Sequence, residues 1–256
     1  MFNLMDYPFL VLLVTLPAFW AASRLGRRIR ERQLPWDKDA DDDYRFVLGG
    51  TLTLLGLLIG FSFSMAVGRY DLRKGWEEKE ANAIGTEYTR AGLLPPEDAT
   101  RLRALLRDYA DQRIRHYYAR PWHDLGAIDD RASKLQGEMW TLVAAHGRSS
   151  PTPLAGVVAE GMNAVIDAQG FAQAAGWNRI PDGAWALLVL MSLVCNLLVG
   201  LGAHGNRIGL HAILPAVLAV TLYFIADIES PRGGLILVHP VNLESTAASL
   251  RSTFGN

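Results

Sequence analysis

The chain has a single cysteine, Cys195, so it cannot form an intrachain disulfide, and no cysteine cluster is available to hold a metal. It has no basic run with interleaved aromatics, and its net charge is −1, so nucleic acid is not expected as a partner. A secretory leader needs basic residues ahead of its apolar core. None precedes the first apolar stretch here; Arg24, Arg27, Arg28, Arg30 and Arg32 follow it, which reads as a retained helix. No useful period-2 apolar run occurs, so no sheet is expected. Catalytic signatures are missing too. Gly60-Phe61-Ser62-Phe63-Ser64 lacks the closing glycine of a nucleophile elbow. There is no HExxH zinc helix and no GxxxxGK phosphate loop. His204 and His211 stand seven apart with no acid or cysteine beside them. These absences argue against an enzyme, a cofactor and a metal site.

What the chain does have is long apolar stretches: Pro8–Arg24, Phe46–Gly68, Ala184–Ala203 and Leu210–Ile228. A helix of about 20 apolar residues spans the hydrocarbon layer, and in lipid each backbone amide must find an internal partner. The expected fold is therefore an all-α membrane protein. Residues 1–68 form a first helix pair with a basic loop, and 69–180 a helical extra-membrane region. Residues 181–229 form a second helix pair, and 230–256 a tail. Pro17 is expected to bend the first span and Pro215 the fourth.

Loop 24–45 carries seven basic residues, from Arg24 to Arg45. The positive-inside rule puts that loop in the cytoplasm and 69–180 on the other side. Arg69, Arg73, Lys74 and Lys79 pull the opposite way. Trp20, Tyr44, Tyr70, Trp76, Trp177, Trp185 and Tyr223 fall near the span limits, where amphipathic rings gather; Trp76 fits packing inside the extra-membrane region equally well. Ser192 and Asn196 are expected to bond between helices. Asp227 and Glu229 are expected to meet water or to pair with Arg232 or the arginines after the second span.

Apolar stripes recur at three- and four-residue spacing through Leu102–Tyr117, Leu125–Leu142 and Leu154–Ile166. Breaks fall at Pro95-Pro96, Pro121 and Ser150-Pro151-Thr152-Pro153. From Phe46 to Ala91 there is no proline, which predicts one long helix leaving the membrane near Tyr70. On its face lie Gly56, Gly60, Ser64 and Gly68, four apart, followed by Asp71, Gly75, Glu78, Asn82, Gly85 and Thr89. Small residues at this spacing let helices approach closely in lipid, and the acids beyond them fit a solvated face. The same stripe would also suit an ion path around an axis of subunits. Gly60, Ser64, Asp71, Glu78 and Asn82 would then line it, with charged rings at its mouth. Phe61 and Phe63 would narrow that path as a hydrophobic gate; facing lipid is the simpler role for them. The opposite apolar residues Ala81, Ile84, Tyr88 and Ala91 should meet the other soluble helices.

Three segments, Glu80–Pro95 (EANAIGTEYTRAGLLP), Arg101–Ile114 (RLRALLRDYADQRI) and Ala226–Val238 (ADIESPRGGLILV), resemble the bestrophin-like membrane proteins of bacteria and plants. Arg232 follows Pro231 where many relatives carry an aromatic. The resemblance implies kinship with bestrophins, which are anion channels built as rings of helical subunits with a cytosolic helical region. It therefore implies a multi-pass protein of the bacterial inner membrane that forms a homo-oligomer and handles inorganic ions. The acidic stripe favours cations instead, and the arginine count favours the opposite sidedness. The two readings carried forward are an oligomeric ion channel lined by the second span and a non-conducting sensor or scaffold whose 69–180 region binds a partner.

Overall fold

A computed structural model of the chain describes residues 6–32, 37–120, 125–202 and 208–252, with the side chains of 208–211 left out. The described residues are helical and contain no strand. The helices are α1 (Pro8–Arg32), α2 (Lys38–Arg90), α3 (Pro96–Tyr118), α4 (Leu125–Ser149), α5 (Pro153–Trp177), α6 (Asp182–Leu201), α7 (Ile208–Glu229) and α8 (Val241–Ser252). One 3₁₀ turn, Ala91–Leu93, follows α2. Helix α2 runs unbroken for 53 residues. Two of the expected proline breaks fall at helix ends, and the third, at Pro121, lies outside the described residues. Pro96 and Pro153 open α3 and α5, where a missing amide hydrogen does no harm. The Thr152 hydroxyl caps α5 by accepting from the Ala155 amide at 3.2 Å. Four stretches are long and apolar enough to cross a membrane: Pro8–Arg32, Lys38–Leu93, Pro153–Leu201 and Ala212–Glu229.

The chain divides into two compact units. The first takes Met1–Arg69 and Arg179–Leu237; the second takes Tyr70–Asn178 and Val238–Asn256. In the first unit, α1 packs against α6 and α7. The α1–α6 crossing is close because two glycines meet backbone. A Cβ on Gly26 would run into the Leu197 carbonyl, and one on Gly200 into the Ser23 carbonyl. Gly202 likewise leaves room for the Tyr44 ring, whose hydroxyl donates to the Leu198 carbonyl at 2.5 Å. This seam went unnoticed in the sequence, where the stripe on α2 drew attention. Two aromatics expected to mark the membrane boundary are packed inside instead. Trp185 and Tyr223 are buried, and Tyr223 lies 5.3 Å from the Phe9 ring. A ring that suits an interface suits a helix crossing equally well. Trp177 and Trp20 are exposed.

The second unit is built on one apolar core from α2, α3, α4, α5 and α8, including Ile84, Tyr88, Leu102, Leu106, Tyr109, Leu135, Met139, Met162 and Val165. Residues 230–256, read from sequence as a tail, contain α8. Its Leu243, Ala247 and Leu250 enter this core, and the Tyr88 hydroxyl donates to the Leu250 carbonyl at 3.1 Å. Trp76 stacks on Phe171 of α5, with ring centroids 4.6 Å apart.

Because both glycines of the α1–α6 crossing face backbone that cannot swing aside, Gly26→Ala and Gly200→Ala should each destabilise the protein by about 1–3 kcal/mol. Thermal unfolding in detergent should show this as a lowered midpoint. Gly49→Ala, where a Cβ meets nothing within 4 Å, is the control and should leave the midpoint level or slightly raised.

Candidate functional site

Helix α2 buries one face. In the first unit that face holds Leu55, Ser62 and Ala66; in the second it holds Arg73, Glu77, Glu80, Ala81, Ile84, Glu87 and Tyr88. The sequence-predicted path residues Gly60, Ser64, Asp71, Glu78 and Asn82 are all exposed. They stand 4, 7, 7 and 4 residues apart, so an unbroken helix keeps them within about 40° of one another, opposite the buried face. Phe61 and Phe63 are 60% and 44% exposed and flank the stripe, one on each side. A Cβ added at Gly56, Gly60, Gly68 or Gly75 meets nothing within 4 Å. From Gly56 to Gly75, then, the stripe is not a packing seam within the chain; at Gly85 an added Cβ would lie 3.5 Å from the Thr246 methyl of α8. Only 11% of the apolar window of Lys38–Leu93 is buried, against 28%, 33% and 56% for the other three stretches.

The acids after the second span are not one solvated face, as a first reading of the stripe suggests. Asp71 and Glu78 are exposed, but Glu77, Glu80 and Glu87 are buried. Glu80 binds Arg113 of α3 through that residue's Nε and Nη2, and both side chains are closed to solvent. The Tyr117 hydroxyl donates to Glu80 Oε2 at 3.4 Å. Asp129 sits beside the pair, 4.0 Å from Arg113 Nη1 and 2.6 Å from His116 Nδ1. Burial alone would lower the Arg113 pKa, but the neighbouring Glu80 carboxylate holds it above its ordinary value. Burial, with the same carboxylate assisting, raises Tyr109 and Tyr117 well above the usual phenol range. Arg113 is therefore a fixed charge, and Tyr109 and Tyr117 are neutral donors, across physiological pH. Glu77 does a different job: it accepts from the Leu243 amide at 2.9 Å and from Asn242 Nδ2 at 2.7 Å, closing the N-terminus of α8. Sequence reasoning singled out none of these roles. A signal existed, since Glu77, Glu80 and Glu87 share the register of Ile84 and Tyr88.

Glu87 has no such network. It is fully buried, and neither carboxyl oxygen accepts a hydrogen bond. Desolvation raises its pKa to about 8, with Arg90 pulling the other way.

In the first unit, carboxylates tie the ends of helices together. Glu229 accepts from the Ile180 amide at 2.5 Å and lies 3.7 Å from Arg69, one of the expected partners after the second span. Asp227 accepts from the Leu235 and Ile236 amides at 2.8 and 2.9 Å, which fixes the turn after α7. Arg179 donates to Asp6 at 2.5 Å. Ser192 and Asn196 were expected to bond between helices. Instead they donate to Leu188 and Ser192 carbonyls of their own helix at 2.7 Å. Short polar side chains reach the carbonyl four residues back more readily than a neighbouring helix. His204 and the side chain of His211 lie outside the described residues. Among the described residues, no three His, Cys, Asp or Glu side chains gather as a metal site.

A family model described as a bestrophin-like domain matches residues 9–243. The chain belongs to the bestrophin-like family. Its fold is similar to the crystal structure of a bacterial bestrophin homolog from Klebsiella pneumoniae, with a TM-score of 0.67, 11% identity, and coverage of 97% of this chain and 98% of that one. A single-substitution variant of the Klebsiella homolog gives a TM-score of 0.66 at 11% identity, covering 97% and 99%. A structure described only as a membrane protein gives 0.64 at 13%, covering 97% and 99%. No curated protein matches the sequence. The bestrophin-like segments carry several of the buried ionisable groups, with Arg73 and Glu77 lying just before the first of them. Glu80–Pro95 supplies Glu80 and Glu87, Arg101–Ile114 supplies Arg113, and Ala226–Val238 supplies Asp227 and Glu229.

Removing one partner of a buried ion pair leaves the other charge unpaired. Glu80→Ala should therefore destabilise the second unit by about 3–5 kcal/mol. Glu80→Met with Arg113→Met should recover most of that loss. Chemical denaturation followed by tryptophan fluorescence reads both; a double variant as unstable as the single one would show that the pair is not what the site depends on.

Proposed function

We propose that the protein is an oligomeric ion channel of the bacterial inner membrane, with α2 of each subunit facing a common axis. The observation that carries this reading is the uncovered stripe. A Cβ at Gly56, Gly60, Gly68 or Gly75 meets nothing within 4 Å, and these glycines continue into exposed polar residues on the same face. Small residues permit close approach of neighbouring helices, and a helix face of glycine, serine, acid and amide can line a water-filled path. Gly60 and Ser64 line its apolar stretch; Asp71, Glu78 and Asn82 line its mouth. Phe61 and Phe63 stand at the flanks of the stripe, where a small rotation of α2 would bring either ring toward the axis and narrow the path. Rings of carboxylates attract cations, so Asp71 and Glu78 favour inorganic cations over anions. The basic loop 24–45 supports a cytoplasmic position for that loop, and so a non-cytoplasmic position for region 69–180.

A second reading is a non-conducting sensor or scaffold. It is favoured by a cleft of about 800 Å³ on the second unit, lined by Asp98, Arg101, Lys134, Glu138, Thr141 and His146 among others. His146 Nδ1 lies 3.7 Å from Asp98 across it. Such a mixed-charge cleft suits a polar partner.

Reconstituted protein separates the two readings. Glu78→Lys should lower the cation-to-anion permeability ratio several-fold while leaving a conductance. A conductance with unchanged ion preference would remove Glu78 from the path. Sustained silence from correctly assembled protein would move the function to the cleft. Sidedness is read by Ser133→Cys, an exposed position on α4, since Cys195 is buried and gives little background. An impermeant thiol reagent should label it in intact spheroplasts; labelling only after lysis would put region 69–180 in the cytoplasm.

A further inference from the structure

Glu87 is a carboxyl group with nothing to bind. It lies on the buried face of α2 against α5, in the notch left by Gly161, where an added methyl would run into Glu87 Oε2 and lie 2.8 Å from Arg90 Nη1. Neither carboxyl oxygen accepts a hydrogen bond. Arg90, the nearest cation, donates instead to the Val157 carbonyl of α5 at 3.5 Å. Charged groups on the neighbouring elements include Glu160 and Asp167 on α5, Glu244 and Arg251 on α8, and on α3 Arg103 together with Glu97, Asp98, Arg101, Arg107, Asp108, Asp111, Arg113 and Arg115. Arg103 is engaged with the Tyr88 carbonyl, Glu244 with Tyr118 and Arg251 with Asp111. Glu160 and Asp167 are exposed. Among all of these, Arg90 alone acts on the Glu87 carboxyl.

An ionised carboxylate without donors is too costly to bury; such a group takes up a proton instead. We propose that Glu87 is a proton-binding site buried between α2 and α5, neutral while the two helices are packed and ionised when they part. The partner for the ionised form is already in place. When α5 moves away, Arg90 loses the Val157 carbonyl and is free to pair with Glu87, three residues earlier on the same helix. The result is a two-state element on the helix that carries the candidate path. The proton site itself does not depend on the channel reading and would serve a sensor equally well.

The sign of the pH effect follows. The packed form keeps its proton up to about pH 8, whereas a carboxyl in water releases it near 4.5. Stability is therefore greatest below that lower value, falls as the pH rises through the interval, and levels off above about 8. The test is infrared difference spectroscopy on the full-length protein in nanodiscs, stepped from pH 6 to pH 9, for the natural chain and for Glu87→Gln. A protonated-carboxyl carbonyl band should disappear in the natural chain with a midpoint near 8 and be absent from Glu87→Gln. Gly161→Ala, which crowds the notch, should shift that midpoint toward the ordinary carboxyl range. Absence of the band in the natural chain, or its persistence in Glu87→Gln, would overturn the proposal. So would a midpoint that Gly161→Ala leaves unmoved. No conductance is read, so a silent channel would not affect the result.

Discussion

Helix α2 buries one face against its own chain and leaves the other uncovered. In the first unit the buried face carries Leu55, Ser62 and Ala66; in the second it carries three carboxylates, Ile84 and Tyr88. On the opposite face a Cβ at Gly56, Gly60, Gly68 or Gly75 would meet nothing within 4 Å, and Ser64, Asp71, Glu78 and Asn82 are exposed. A helix with a leucine-rich outer face could be left to lipid without further explanation. On α2 the exposed Leu54, Leu57, Phe61, Phe63 and Met65 suit lipid, while the line of small and polar residues between them offers another helix, or water, a close approach.

The buried charges give the molecule its definition. Glu77 closes the start of α8, and Glu80 fixes α3 through Arg113. Asp227 and Glu229 hold the chain at the end of α7. A buried ion pair is a poor source of net stability compared with packed hydrocarbon, but breaking one is expensive. Such pairs penalise every arrangement that leaves a charge unpaired, and so favour a single register of α2 against its neighbours. Glu87 departs from this pattern, since it is buried with no donor at all.

Much of the architecture is legible in the sequence because its signals are strong and local. Long apolar runs mark the spans, prolines mark the breaks, and three- and four-residue spacing marks which side of α3, α4 and α5 enters the core. The long α2 is legible from what is missing between Phe46 and Ala91. Several failures concern side chains with two equally good environments. An acid on a helix reads as solvated, so Glu80 and Glu87 are hidden until α3 and α5 are seen against them. Trp185 and Tyr223 suit a membrane boundary and a helix crossing alike. Helix α8 contributes just Leu243, Ala247 and Leu250 to the core, too few to stand out in a short polar stretch. The close α1–α6 approach depends on Gly26 meeting Gly200's helix, a pairing no single segment encodes. At the candidate path, the stripe is visible in the sequence, and its exposure follows from the apolar face on the other side of α2.

Assembly is where the account is most exposed. The native mass of the full-length protein in mild detergent, measured with the bound detergent subtracted, tests it most directly. A ring of several identical subunits is the expected result, because only a ring gives the α2 stripes a common axis. A monomer or a simple dimer would leave that face to lipid and contradict the central claim.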